Sequence, residues 1–149
     1  MQRRIDQLQG HVIVCGFGRM GEAVCEELRA AGRDFVVVEP EQRAFERAIA
    51  NGYMAVHGSG SGEEPLLQAG IQRADSLITV ADSETENIVI SLSARELRHE
   101  IAIVARAERD SDVRKLRMAG VNRTVSPFRS GGIEAARAVL NPHLTDFLL

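Results

Sequence analysis

Apolar residues in this chain fall in short dense runs, separated by longer stretches where they recur every three or four positions. The runs are residues 11–15 (HVIVC), 35–39 (FVVVE), 53–57 (YMAVH), 76–81 (SLITVA), 101–105 (IAIVA) and 123–126 (RTVS). The first five are mostly apolar on both faces, as strands are when buried between two helix layers in a parallel sheet. Between the first two runs, Met20, Ala23, Val24 and Leu28 sit at helical spacing. Helices are predicted to stop at Ala31-Gly32, Asn51-Gly52, Ala69-Gly70 and Ala119-Gly120, where glycine can take the left-handed closing conformation. Ser83-Glu84-Thr85-Glu86 and Ser61-Gly62-Glu63-Glu64 have capping-box spacing, and Pro65 is tolerable in a first turn. Ser126-Pro127 reads as a turn, after which Ser130 is predicted to cap a last helix over 133–140, stopped by Asn141-Pro142. The apolar tail (Leu144, Phe147, Leu148, Leu149) suggests a partner surface or a truncated chain.

Strands alternating with helices predict an α/β fold, a Rossmann-like doubly wound parallel sheet in a three-layer sandwich. Right-handed crossovers fix the side each helix takes, and strand order 3-2-1-4-5-6 is expected, with a ligand cleft where the order reverses. The 149 residues suit one domain. Residues 1–10 read as a linker, 11–140 as the domain and 141–149 as a tail.

Composition narrows the function. Eighteen Lys and Arg against 21 Asp and Glu give a net charge of −3, which disfavours a general nucleic-acid binder. No apolar run approaches the roughly 18–20 residues that cross a bilayer, and MQRRIDQLQG has no signal-peptide core. Cys15 and Cys25 give neither a disulfide framework nor metal-ligand spacing, and are expected to be reduced and buried.

The most informative stretch is Val12-Ile13-Val14-Cys15-Gly16-Phe17-Gly18-Arg19-Met20-Gly21, a G-x-G-x-x-G that follows a strand and opens a helix. Gly16 allows the tight turn, Gly18 lets a pyrophosphate approach the backbone, and Gly21 lets the helix pack on the strand. The helix N-terminus offers free N–H groups to phosphate. Glu39 ends the second strand, 18 residues after Gly21. A carboxylate there accepts from ribose hydroxyls and repels a 2′-phosphate, so NAD(H) or an adenine nucleotide is favoured over NADP(H). Gly58-Ser59, Ala81-Asp82 and Arg106 follow the third, fourth and fifth strands and should lie at the same cleft. Arg19 either reaches a phosphate or is a solvated helix-start arginine. Asp82 and Ser83 either meet ligand or cap a helix. Arg106 either binds phosphate or pairs with Glu108 or Asp82. The histidines (His11, His57, His99, His143) form no nucleophile–base set, and no cluster has metal spacing. The site therefore reads as a sensor, with no catalytic and no metal residue.

These residues resemble a known family. HVIVCGFGRMG, Glu39, HGSGSGEEPLLQAGIQRADSLITVADSETEN and VARAERDSDVRKLRMAGVNRTVSPFRSGG are similar to the N-terminal lobe of RCK domains, the regulators of potassium conductance, and to the NAD-binding domains of Trk and Ktr potassium-uptake regulators. The resemblance implies a cytosolic, nucleotide-binding gating domain of a potassium channel or transporter, membrane-associated through the pore or the transporter's membrane subunit. It also implies a homodimer formed partly through the helix near 131–140, and in channels a ring of eight, with ligand binding coupled to dimer geometry. Alternatives are the regulatory domain of a cation/proton antiporter, an NAD-dependent oxidoreductase fragment and a purely structural assembly domain. Where the family often has Gly-Asp this chain has Gly58-Ser59. Arg106 stands where some channels place a calcium-binding carboxylate, so a calcium site of that kind is disfavoured. The family's C-terminal lobe is not in this sequence, which reads as the cytosolic portion of a larger channel or as a chain made separately from one.

Overall fold

In the computed structural model, which describes residues 1–143, six strands form one parallel sheet. They are β1 (Val12–Cys15), β2 (Phe35–Glu39), β3 (Ala55–His57), β4 (Ser76–Thr79), β5 (Ala102–Arg106) and β6 (Arg123–Val125). The order is β3-β2-β1-β4-β5-β6, as the sequence pattern predicts, so the strand order reverses beside β1. Among the described residues, α-helices join the strands or flank the sheet: α1 (Gln2–Asp6), α2 (Arg19–Ala30), α3 (Gln42–Ala50), α4 (Glu63–Gln68), α5 (Glu84–Leu97), α6 (Asp110–Met118) and α7 (Pro127–Leu140).

Side chains alternate between the two faces of each strand. Ile13, Cys15, Val36, Val38, Leu77 and Ile103 face one core, closed by Leu66 of α4, Ile90 and Ala94 of α5 and Leu116 of α6. Val12, Val14, Phe35 and Val37 face the other, closed by Cys25 of α2 and Ala44 and Ala48 of α3. Both faces of β1 and β2 are buried, which explains why their runs carry no polar alternation, whereas on β4 and β5 full burial alternates with partial or no burial. Helix α2 closes as its Ala-Gly ending predicts: Gly32 has φ +72° and Arg33 N–H donates back to the Leu28 carbonyl at 3.0 Å.

Four local expectations are corrected. Residues 1–10 include a short helix, α1, that packs on the body. Its Ile5 is buried in the first core, Gln2 Nε2 donates to the Gln68 carbonyl at 2.9 Å, and Arg73 donates to the carbonyls of Leu8 and Ile5. Five residues are too few to hold a helix alone, but burying one isoleucine contributes roughly 1.5–3 kcal/mol. Ser61 does not cap α4. Its hydroxyl is 2.7 Å from that of Ser59, and Gly62 takes the cap position. Ser83 does cap α5, accepting from Glu86 N–H at 3.3 Å, but Glu86 does not return the bond, so only half the box forms. Helix α7 starts at Pro127, not beyond Ser130. Proline suits a first helical position because the N–H it lacks would have no partner there. Leu144, Phe147, Leu148 and Leu149 lie outside the described residues.

Candidate functional site

The reversal beside β1 opens a cleft at the carboxyl ends of the strands. It is lined by Cys15, Gly16, Phe17 and Gly18, by Val38, Glu39 and Pro40, and by Gly60, Val80, Ala81, Asp82, Ser83, Glu86 and Ile90.

The three glycines of the loop are not equivalent. Gly16 has φ +107°, and a Cβ there would meet the backbone of Val80 and Ala81 at 3.1 Å. A Cβ on Gly21 would overlap the Gly16 carbonyl oxygen. Gly16 is required by its positive φ and by the close approach of the backbone after β4, and Gly21 by the packing of α2 on the loop after β1. Gly18, the residue preceding α2, has φ −81°, and its Cβ would meet nothing nearer than Asp82 Oδ1 at 4.0 Å. Space is therefore left in front of the α2 N-terminus that the protein itself does not fill. The dipole and free N–H groups of that helix end favour an anion there.

Glu39 is buried, and its carboxylate ties the site together. Oε1 accepts from Phe17 N–H at 2.7 Å and Oε2 from Glu41 N–H at 2.7 Å. It thus braces the glycine loop against the β2–α3 turn. Two carboxylate oxygens offer about four acceptor positions, so capacity remains for a ligand's hydroxyls.

The β4–α5 turn is held by Asn87, which the sequence reading did not single out. Its Oδ1 accepts from Thr79 Oγ1 at 2.7 Å and from Ala81 N–H at 3.0 Å, and its Nδ2 donates to the Ala81 carbonyl at 2.9 Å. That clamp ends β4 at Thr79 and turns Val80 and Ala81 into the cleft wall. Gly60 and Glu86 are also lining residues missed from sequence. A Cβ on Gly60 would press on Cys15 Sγ at 2.9 Å. No motif marks them, because they reach the cleft only through the packing of α4 and α5.

Of the residues expected at the site, Gly16, Phe17, Gly18, Glu39, Ala81 and Asp82 line the cleft. Phe17 does so through its backbone, since its side chain is buried with its ring 6.0 Å from that of Tyr53. Met20 packs into the second core and Gly21 lies under the loop. Arg19 is exposed beside the helix start and makes no ion pair among the described residues. Gly58 packs on Pro65, and Ser59 lies behind the lining, donating from Oγ to Glu86 Oε1 at 3.1 Å. Arg106 takes the ion-pair alternative. Nη2 lies 3.0 Å from Glu108, Nη1 lies 3.6 Å from Asp82, and the guanidinium carbon sits 5.8 Å from the Phe128 ring centre.

Both cysteines are free and buried. Burial pushes the Cys15 thiol well above its ordinary range, and the nearby Glu86 and Glu39 charges add to the effect. Burial likewise pushes Cys25 up to about 12. Neither is a thiolate near neutral pH, so neither has nucleophilic character. Among the described residues, no group of His, Cys, Asp or Glu is arranged to hold a metal ion, and no helix is long and apolar enough to cross a membrane.

A glycine loop entering a helix, an acid at the end of β2 and a cleft at the switch point define the Rossmann-like class of fold. Residues 12–127 match the TrkA-N domain model, and the chain belongs to that family. It is 37% identical over 150 residues to "Potassium channel protein 1" of Methanocaldococcus jannaschii, covering 99% of this chain and 45% of that protein. It matches the crystal structure of the TrkA-N domain of inner membrane protein ybaL from Escherichia coli with a TM-score of 0.80 and 30% identity, covering 90% of this chain and 96% of that one. It matches the GsuK channel bound to NAD with a TM-score of 0.73 and 25% identity, covering 80% and 22%. The chain spans under half the length of the potassium channel protein it matches.

Proposed function

We propose that this chain is the cytosolic, nucleotide-binding regulatory domain of a potassium channel or transporter, and that it senses its ligand without transforming it. NAD(H) or an adenine nucleotide binds in the β1 cleft, with its phosphates at Gly16–Gly18 and the α2 N-terminus and its ribose on Glu39. The observation that carries this reading is the contrast among the glycines. Gly16 and Gly21 are required by the fold, while a Cβ on Gly18 would meet no atom nearer than 4.0 Å at the α2 N-terminus, the space this reading gives to phosphate. The likeness to a potassium channel protein and to a channel bound to NAD supports the assignment. Arg19 and Arg106 are the further phosphate contacts, Arg106 by exchanging its pairing with Asp82 for the ligand.

The partner is a second copy of the chain, in a dimer or larger ring beside a membrane subunit. Helix α7 supports this part of the reading. It has no buried residue, and Phe128, Val139 and Leu140 are 67%, 80% and 74% exposed. Such a face is normally covered. Ligand binding acts on function by favouring one arrangement of that assembly over another.

Mass spectrometry of what the purified protein releases on denaturation tests the ligand. An adenine nucleotide or dinucleotide is expected from the wild type and none from Gly18→Ala, whose Cβ costs the fold nothing but fills the phosphate space. Equal release from both would refute the phosphate seat. Consumption of NADH by the isolated chain would instead favour an oxidoreductase fragment.

A further inference from the structure

The cleft has three acids, and two already have roles: Glu39 braces the glycine loop and has its remaining acceptor positions for the ribose, and Asp82 pairs with Arg106. Both oxygens of Glu39 hold backbone N–H groups. Asp82 stands at the mouth, its side chain 95% exposed, paired with Arg106 beside the phosphate space. The third is Glu86, in the first turn of α5, lining the cleft together with apolar Val80, Ile90, Cys15 and the bare backbone of Gly60. Its Oε1 accepts from Ser59 Oγ at 3.1 Å, while Oε2 takes no hydrogen bond from the described residues. The Ser59 hydroxyl is itself 2.7 Å from that of Ser61, so the carboxylate is held by the β3–α4 loop from behind the lining.

We infer that Glu86, oriented by Ser59, is the residue that selects the base of the bound nucleotide, accepting a hydrogen bond from the exocyclic amine of adenine. This rests on the nucleotide reading above and deepens it. An ionised carboxylate only accepts, so it rewards a ligand edge that donates. Apolar walls without a side chain at Gly60 suit a flat ring and strengthen a polar contact made at its rim. The single uncommitted oxygen matters as well. Guanine presents two parallel donors, N1–H and the 2-amino group, and pairs best with a carboxylate whose two oxygens are both open. Ser59 already donates to Oε1, so a second donor there would share that oxygen, whereas Oε2 is open to a lone amine.

The test is titration of the nucleotide-free protein with AMP, with purine riboside 5′-monophosphate, which lacks the amine, and with GMP. The wild type is expected to prefer AMP over the amine-free analogue by about tenfold or more, the usual size of a hydrogen bond to a charged group. Glu86→Ala should bring that ratio close to one. The Ser83 cap on α5 uses the backbone N–H of residue 86 and survives this change. Ser59→Ala should raise affinity for GMP relative to AMP by freeing Oε1. A wild type that binds both purines equally, or a Glu86→Ala protein that keeps the preference, overturns the inference and leaves the nucleotide reading standing. A folded wild type that binds none of the three overturns both.

Discussion

Replacing Glu39 by glutamine keeps the shape of the side chain and removes its symmetry as an acceptor. The native carboxylate receives two backbone N–H groups, from Phe17 and Glu41, each at 2.7 Å. Glutamine offers one oxygen and one NH₂ group, so one of those amides must face another donor in a buried position. A buried donor left unmatched costs roughly 1–3 kcal/mol. At about 2–4 °C per kcal/mol for a domain of this size, the ligand-free variant should melt roughly 2–12 °C below wild type. Binding should weaken separately. Losing a hydrogen bond to a charged group removes about 1.5–3 kcal/mol, or roughly ten- to a hundredfold in affinity. Thermal melts with and without nucleotide, paired with calorimetric titration, separate the two effects, because ligand stabilisation depends only on its concentration relative to Kd. An unchanged melting temperature without ligand would refute the bracing role of Glu39. An unchanged affinity would remove Glu39 from the site.

Other consequences follow from particular contacts. Gly21→Ala should abolish or severely impair folding, since its Cβ overlaps the Gly16 carbonyl, whereas Gly18→Ala should melt within a degree or two of wild type; similar melting of the two would contradict their different roles. His11 is buried and gives its Nε2 proton to the Ala69 carbonyl at 2.8 Å, while Nδ1 has no partner. Burial, reinforced by Arg73, lowers its pKa below the ordinary 6.5. The unfolded chain therefore takes up a proton first, and stability present above about pH 6.5 should be lost as pH falls toward the lowered value. His11→Gln, which keeps the donor, should flatten that part of the urea-midpoint profile, and identical slopes would refute the assignment. Val139→Asp on the exposed end of α7 should shift the protein toward monomer in analytical ultracentrifugation and lower its melting temperature only by what the lost association contributes; an unaltered oligomer would exclude that end of α7 from the interface.

The sheet was legible because its first five strand runs are mostly apolar, as buried parallel strands are, and because the helices after β1, β2, β3 and β5 end at a glycine; α5 ends at Leu97 without one. The glycine loop and Glu39 at the cleft were legible because the motif and the acid are tied to fixed positions at the ends of β1 and β2. What the sequence concealed depends on contacts between distant segments. The run 76–81 looks like one strand, but pairing stops at Thr79 because Asn87 captures both backbone groups of Ala81. Glu86 looks like a helix-capping partner, yet its side chain meets Ser59, 27 positions earlier. Helix α1 has one buried residue in five, too few to show a period. Arg106 illustrates a different limit. Its position at the end of β5 was visible, but the choice between phosphate and its own neighbours depends on Asp82, Glu108 and Phe128 converging there.

The central claim is that a phosphate-bearing adenine metabolite occupies the space in front of Gly18. Calorimetric titration of nucleotide-free protein with AMP, ADP and NAD⁺ addresses it most directly. Saturable binding of at least one ligand near one per chain, lost in Gly18→Ala, is the predicted result. Folded wild-type protein that binds none of the three, or a Gly18→Ala protein that binds as tightly as wild type, would contradict it.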